Sequence, residues 1–308
     1  MARRSRSNRR ERPGPAGFLV VDKPNGVTSH DMVEAARGWL GIRRVGHLGT
    51  LDPQATGVLP LAIRGATKLV PFVQAGEKSY VGTVRLGLTT DTLDGQGKVT
   101  DRHDGPLPEE GDVRSALKQF EGEIEQIPPM YSAVKRDGVP LHRLARQGRY
   151  VERDPKPVFI RRIEVLRFES PDVEIAVQCG AGTYVRSLAH DLGQALGCGA
   201  YLSSLRRLGS APFEIGEAHT PEACEEAARE QRIEQWLVPP EQALGLAVLK
   251  LLPPAVKRIE NGGDISPGTL ERERAGTRVS ALDQTGRLVA ILELRADRRL
   301  WPLRVLPA

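Results

Sequence analysis

Cysteine is scarce in this chain, with three in 308 residues at Cys179, Cys198 and Cys224. The number is odd, no two form a CxxC pair and no His pair stands nearby. A disulfide scaffold and a structural zinc site are therefore excluded, and a reducing cytoplasm is the expected location. No apolar run approaches the ~18 residues of a membrane span, so no membrane association is expected. The basic N-terminus lacks the apolar stretch of a secretory signal. There is no Walker loop, no GxGxxG after a strand, no HExxH and no GxSxG. Nucleotide hydrolysis, dinucleotide redox chemistry and zinc hydrolysis are poor fits, and no cofactor or metal is expected. No internal repeat is visible.

The composition is that of a globular chain, with 40% hydrophobic and 27% charged residues. The length suits about two domains. Gly and Pro number 32 and 23, rich in turns but below low-complexity composition. The net charge of +5 is unevenly placed. Residues 1–12 carry six Arg and one Glu, which is +5, leaving the rest of the chain neutral. Residues 1–16 read as a disordered basic arm. Within the neutral remainder, residues 133–167 hold ten Lys/Arg and four Asp/Glu, a local +6. Residues 214–241 hold eight Glu and two Arg, a local −6 that hides it. Nucleic-acid binding by the folded body must rest on such local charge and not on the total.

Order is expected from Gly17, with GFLVVDKP as a strand ended by the Pro24-Asn25-Gly26 turn. A helix follows with the capping-box pair Thr28 and Asp31 and an apolar face of Met32, Val33, Ala36 and Trp39/Leu40. Residues 46–57 (GHLGTLDPQATG) read as irregular loop, and 79–88 as a strand. A helix carrying Val113, Ala116, Leu117 and Phe120 is expected to start at an Asp112 N-cap. Strands are expected over 159–168 and 173–179, the second alternating Val173, Ile175, Val177 and Cys179 on one face. Gly180 and Gly182 then turn the chain into a helix carrying Val185, Leu188 and Leu192. Adjacent strands with interspersed helices imply an α+β fold with a mainly antiparallel sheet. After a boundary near 240–246, the segments TRVSAL, RLVAILEL and PLRVL make a small β-rich module, in the manner of a barrel.

The chemistry centres on one acid set among small residues, Gly49-Thr50-Leu51-Asp52-Pro53. An Asp-Pro step on its own is ordinarily a turn initiator. Here the surrounding stretch GHLGTLDPQATGVLP (46–60) resembles the active-site signature of the TruB family of tRNA pseudouridine synthases. Further family-like blocks follow in order: DKPNGVTS (22–29), KSYVGTVRLGLTTDTLDGQG (78–97), IPPMYSAVKRDGVPLHRLARQG (127–148), GTYVRSLAHDLG (182–193) and LRRL (205–208). The likeness spans residues 17–215, with one departure, Leu48, where the family usually has Thr.

The resemblance implies a pseudouridine-synthase-like catalytic domain over 17–240, with an RNA-clamping insertion at 127–148. It also implies a PUA-like RNA-binding domain over 245–308. The implied activity is isomerisation of uridine to pseudouridine at position 55 in the T-loop of tRNAs, after base flipping, with tRNA as the partner. The enzyme is expected to be a monomer without an obligate protein partner. Breaking the N1–C1′ bond and rejoining the base through C5 needs no redox step. It needs one ionised carboxylate near the sugar, and by resemblance this is Asp52, as nucleophile or as base at C2′. Arg186 is its implied partner cation, expected to keep its pKa low. Tyr80 is implied beneath the target base, placed to assist deprotonation at C5. His47, Tyr184 and Leu205 are implied to line the substrate pocket, and Lys23 is grouped with them as support for the catalytic loop. Two other readings share these residues: a tRNA-binding folding chaperone with secondary catalysis, and a guide-dependent rRNA pseudouridine synthase.

Overall fold

A computed structural model describes residues 14–136 and 138–306. The first thirteen residues of the expected basic arm lie outside the described residues. The centre of the fold is a nine-stranded sheet whose main path runs Gly17–Lys23, Thr56–Ile63, Ala200–Ser210, Lys78–Leu86, Asp172–Cys179, Lys156–Glu169 and Gly122–Gln126. Every neighbouring pair along this path is antiparallel except one. The exception joins Thr56–Ile63 to Ala200–Ser210 through only two register pairs, Arg206 with Thr56 and Arg207 with Gly57. The expected α+β, mainly antiparallel architecture is therefore the observed one.

Period-two patterning decides which side chains meet which layer. On the first strand Leu19 and Val21 enter the main core, where Val84, Val173, Ile175 and Val177 from neighbouring strands also lie. Helix Ser29–Leu40 covers this face through Met32, Val33, Ala36 and Leu40. Its Thr28–Asp31 capping box forms as read from the sequence. Helix Val185–Ala195 adds Val185, Leu188, Ala189 and Leu192 to the same core. The intervening helix, Glu110–Lys118, starts earlier than expected. Asp112 occupies its third position and returns a bond to the backbone of Glu109, which is the actual N-cap. An acid near a helix start can serve from either side of the reciprocal cap, and sequence alone left this choice open.

Phe18 and Val20 point to the opposite face of the sheet. There, with Leu48, Val58, Ala62 and Phe213, they belong to a second core that also contains Leu282, Leu288, Ile291 and Leu306. Leu282, Leu288 and Ile291 come from the C-terminal sheet, Ala247–Lys250, Arg278–Leu282, Leu288–Leu294 and Leu300–Val305, and Leu306 directly follows its last strand. Its first strand and the helix Pro253–Glu260 were not expected from the sequence. Val248 and Leu252 there remain exposed, so the segment lacks a clean apolar alternation. The strand order is an unclosed four, with one parallel and two antiparallel pairings, not a barrel.

Residues 127–148, expected as an RNA-clamping insertion, contain a short hairpin, Lys135–Arg136 with Val139–Pro140, followed by helix Leu141–Arg146. They have their own small core of Met130, Leu141, Leu144 and Ala145.

Candidate active site

The loop between the short strand Val45–His47 and strand Thr56–Ile63 carries Asp52. Three side chains from elsewhere hold it. Ser29 Oγ accepts from Leu51 N at 2.8 Å and donates to Leu51 O at 3.0 Å. Lys23 Nζ donates to Pro24 O, Val27 O and Pro53 O at 2.9, 2.8 and 3.1 Å. All three ammonium protons are thereby used, and Lys23 has no exposed surface, so it acts as a fastener of the loop. Burial lowers its pKa to about 8, with Asp52 acting in the opposite sense. Arg207 Nη2 donates to Gly49 O at 3.4 Å, and its Nε donates to Val58 O at 2.6 Å.

Gly57, where this loop enters its strand, has φ +99°, and a Cβ there would lie 2.1 Å from Arg207 O. The two-pair parallel junction passes through this point, so the backbones cannot separate without breaking the sheet. Gly57→Ala is expected to cost at least about 3 kcal/mol. A thermal melt within a degree or two of the parent would contradict that reading.

Asp52 meets Arg186 in a two-pronged pair, Nε to Oδ2 at 2.9 Å and Nη2 to Oδ1 at 3.1 Å. The Arg186 side chain is 5% exposed and that of Asp52 31%, so the carboxylate faces the solvent side of the pair. Arg186 was open to reading as an exposed helix-start arginine; instead the first turn of Val185–Ala195 buries it. Its Nη1 donates to Thr92 O at 3.0 Å and its Nη2 to Tyr131 O at 2.8 Å. One cation thus ties together the catalytic loop, the 90–94 loop and the root of the insertion.

The 90–94 loop also supplies a residue that sequence reasoning did not single out. Asp94 is buried, and its Oδ2 lies 3.7 Å from Arg186 Nη1. Its Oδ1 accepts from Thr92 Oγ1 at 2.5 Å and Gln96 N at 3.1 Å. It stands inside the block TTDTLDGQG, where the run of Asp and Thr was the available signal. Two carboxylates therefore share one guanidinium. Burial pushes the Asp52 carboxyl above its ordinary value and the Asp94 charge adds to the push, while Arg186 and Lys23 pull it down. The partner cation compensates for burial; it does not depress the pKa below the ordinary range, as the sequence reading expected.

Tyr80 is buried on strand Lys78–Leu86, directly opposite Arg207 in the neighbouring strand. Burial raises its pKa, Arg207 lowers it, and Cys179 and Asp52 raise it. Tyr184 precedes helix Val185–Ala195, its N–H donating to Gln126 Oε1 at 2.9 Å and its carbonyl accepting from Gln126 Nε2 at 3.3 Å. Burial raises the Tyr184 hydroxyl, while the nearby Ser132 hydroxyl and the charge of Arg186 oppose this. His47 Nδ1 accepts from Gly49 N at 3.4 Å. Burial lowers its pKa, and Arg207 and His30 add to the effect, so the ring is neutral near pH 7. Leu205 is half-buried against the main core, its register partner being Gly82, two residues beyond Tyr80. Asp52, Arg186, Tyr80, Lys23 and Tyr184 thus form one electrostatic group, His47 joins it through Gly49 and Arg207, and Leu205 lines the strand beside it. Leu48, the departure from the family pattern, donates its N–H to Pro60 O at 3.0 Å and buries its side chain in the second core. A Leu suits that apolar site without disturbing Asp52.

Beside this group a cleft of about 270 Å³ opens between the insertion and helix Val185–Ala195, lined in part by Leu93, Ile127, Tyr150, Arg153 and His190. Among the described residues no cluster of three or more His, Cys, Asp or Glu could hold a metal ion. No helix of the described residues is long and apolar enough to cross a membrane.

Comparison with known proteins gives concordant matches. Residues 37–185 match the model of the TruB family pseudouridylate synthase N-terminal domain, and 186–245 that of the tRNA pseudouridylate synthase B C-terminal domain. The tRNA pseudouridine synthase B of Geobacter sulfurreducens is 43% identical over 291 residues, covering 92% of this chain and 95% of that protein. Its counterpart in Pseudomonas aeruginosa is 40% identical over 302 residues, covering 97% and 98%. Among solved structures, a Cbf5–Nop10–Gar1 complex matches with TM-score 0.70 and 27% identity, covering 98% of this chain and 91% of that chain. An H/ACA RNP bound to a substrate RNA containing 2′-deoxyuridine matches with TM-score 0.70 and 26% identity, covering 95% and 85%.

Proposed function

Since the chain belongs to the TruB family of pseudouridylate synthases and is an enzyme of tRNA uridine isomerisation, we propose that its target is uridine 55 in the T-loop of tRNAs. In this reading it acts as a monomer in the cytoplasm without a guide RNA. The observation that carries it is the Asp52 carboxylate, held by Arg186 in a two-pronged pair yet open on one side. A group so placed can meet the sugar of an extruded nucleotide while its charge stays balanced. Asp52 supplies the ionised carboxylate, by addition to the sugar or by removal of the C2′ proton. Tyr80 then lies beneath the freed base and takes part in the loss of the C5 proton once C5 has rejoined C1′. His47 and Tyr184 fill space left by, or stack against, the extruded nucleotide, and Leu205 packs against the base.

Extraction of the base costs a few kcal/mol of stacking, which phosphate contacts must offset. The ten Lys/Arg of residues 133–167 lie within and just after the insertion and are suited to grip the T-arm. The C-terminal sheet supplies a second RNA contact in this reading, consistent with a PUA-like role. The acidic helix Pro221–Arg229 packs against helix Ser29–Leu40 and lies away from the RNA.

A second reading, action on an RNA chosen by a guide, draws on the likeness to the H/ACA structures. The curated tRNA enzymes are more similar, and over nearly their whole length. Incubation of the purified protein with an unmodified tRNA transcript, without guide RNA, separates the two. Pseudouridine mapped at position 55 alone is the expected outcome. No modification, or modification only after a guide RNA and accessory proteins are added, would replace the first reading with the second.

A further inference from the structure

Among the described residues Arg207 is the largest fully buried side chain, at 1% exposure. A guanidinium moved out of water costs several kcal/mol unless a carboxylate compensates it. No ion pair among the described residues includes it, and no carboxylate contributes to its electrostatics. Its surroundings hold the Gly49 and Val58 carbonyls, the Tyr80 hydroxyl and further groups that are cationic or neutral. Lys23, Lys78 and His47 all feel it as a repelling charge. Of the groups it contacts, the Tyr80 hydroxyl is the one that can become an anion.

We infer that Arg207 is the positioning residue for Tyr80: it faces the tyrosine across the strand pair, fastens the Gly49 loop beside it, and lowers the cost of negative charge on the tyrosine oxygen during proton removal from C5. The inference rests on the proposed role of Tyr80. The geometry is specific. Arg207 and Tyr80 are paired residues of adjacent antiparallel strands, and the same guanidinium reaches the carbonyl of Gly49, three residues before Asp52. A movement of one therefore moves the others.

The charged and titratable groups facing Tyr80 act in opposed senses. Arg207 favours its anion, whereas Asp52 and Cys179 disfavour it. Cys179 is itself pushed up to about 11 by burial and stays a neutral thiol at working pH. Asp52 is the one whose charge the reaction changes. When its carboxylate is esterified to the sugar or takes up a proton, the repulsion on Tyr80 disappears and the attraction of Arg207 remains. In that interval Tyr80 ionises more readily and gives its own proton to bulk solvent, before C5 rejoins C1′ and frees the Asp52 carboxylate; Arg207 then holds the tyrosinate until C5 loses its proton. The proton passes from C5 to the tyrosinate oxygen, which becomes the neutral hydroxyl again, and the electron pair of that C–H bond restores the ring double bond.

The test reads Tyr80 without RNA. Protein with 13C in the tyrosine ring carbon bearing oxygen is titrated by NMR from neutral to alkaline pH, and Tyr80→Phe assigns the signal. Arg207→Met should raise the ionisation midpoint by a unit or more; Arg207→Lys, which keeps the charge, should hold it near the parent value. Asp52→Asn should lower it. If Arg207→Met fails to fold, Arg207→Gln provides the neutral variant. In turnover, loss of the charge should lower kcat about tenfold and leave KM little changed. Equal midpoints in parent and neutral variant would overturn the inference, whatever the turnover. A shifted midpoint with full turnover would instead remove Tyr80 from the proposed mechanism and leave its coupling to Arg207 standing.

Discussion

Asp52→Asn is expected to bind tRNA with near-parent affinity and to form no pseudouridine, a loss on the order of 10³-fold or more in single turnover. The substitution preserves shape and one acceptor oxygen but removes the group that adds to the sugar or takes its proton. The fold should survive because Arg186 keeps Asp94 at 3.7 Å and its two backbone carbonyls. The checks are a filter-binding isotherm, a melting curve and pseudouridine mapping on the same sample. Measurable turnover would remove Asp52 from the chemistry. Lost binding with lost turnover would make it a substrate-holding group. Retained binding without turnover also bears on the chaperone alternative, since the variant would keep any RNA-folding role and lose catalysis alone.

Arg186→Met should damage both stability and rate. It leaves the Asp52 and Asp94 carboxylates facing each other without their cation, and it withdraws donors from Thr92 O and Tyr131 O. Removing one partner of a buried ion pair typically costs about 3–5 kcal/mol. The kinetic signature follows from sign. Asp52 acts in its ionised form, so activity is present above its pKa and is lost as pH falls through it. Burial already holds that pKa above the ordinary value, with Arg186 opposing the shift. Without Arg186 the pKa rises further, and the acid limb of kcat/KM moves to higher pH. Asp94→Asn should move the same limb to lower pH, because Asp94 is a cause of the upward shift. An unchanged limb in both variants would mean that the limb reports another group.

Much of this arrangement was legible in the sequence. The alternation of Val173, Ile175 and Val177 fixed a strand face, the Thr28–Asp31 pair fixed a helix start, and the resemblance carried Asp52 and Arg186 to positions that meet. What was not legible came from contacts distant in the chain. Asp94 reads as one acid in a polar turn until the fold brings it to Arg186. Nothing in LRRL separates Arg207 from Arg206 until the strand is paired, when register turns Arg207 inward and leaves Arg206 to bind Asp22 at 2.7 Å near the surface. The sense of the Asp52 pKa also escaped, because it depends on how burial balances a cation, and burial is a property of the assembled site. The helix Pro253–Glu260 was missed because its short apolar stripe is diluted by two prolines and charged residues.

The second core has a consequence for synthesis. Phe18, near the start of the described residues, and Leu306, the last of them, belong to one apolar cluster. The first strand also exchanges hydrogen bonds with Val238, Phe18 N to Val238 O at 2.9 Å and the reverse at 2.8 Å. A ribosome adding roughly 5–20 residues per second needs tens of seconds to connect them. Through that interval Phe18, Val20 and Val58 lack the C-terminal members of their cluster, Leu282, Leu288, Ile291 and Leu306, and that side of the sheet carrying Tyr80 is only partly covered. The apolar face of the partly made chain is thus open to other apolar surfaces until the strands near Leu306 have been added. Stop codons late in the gene should yield insoluble protein, not a smaller working enzyme.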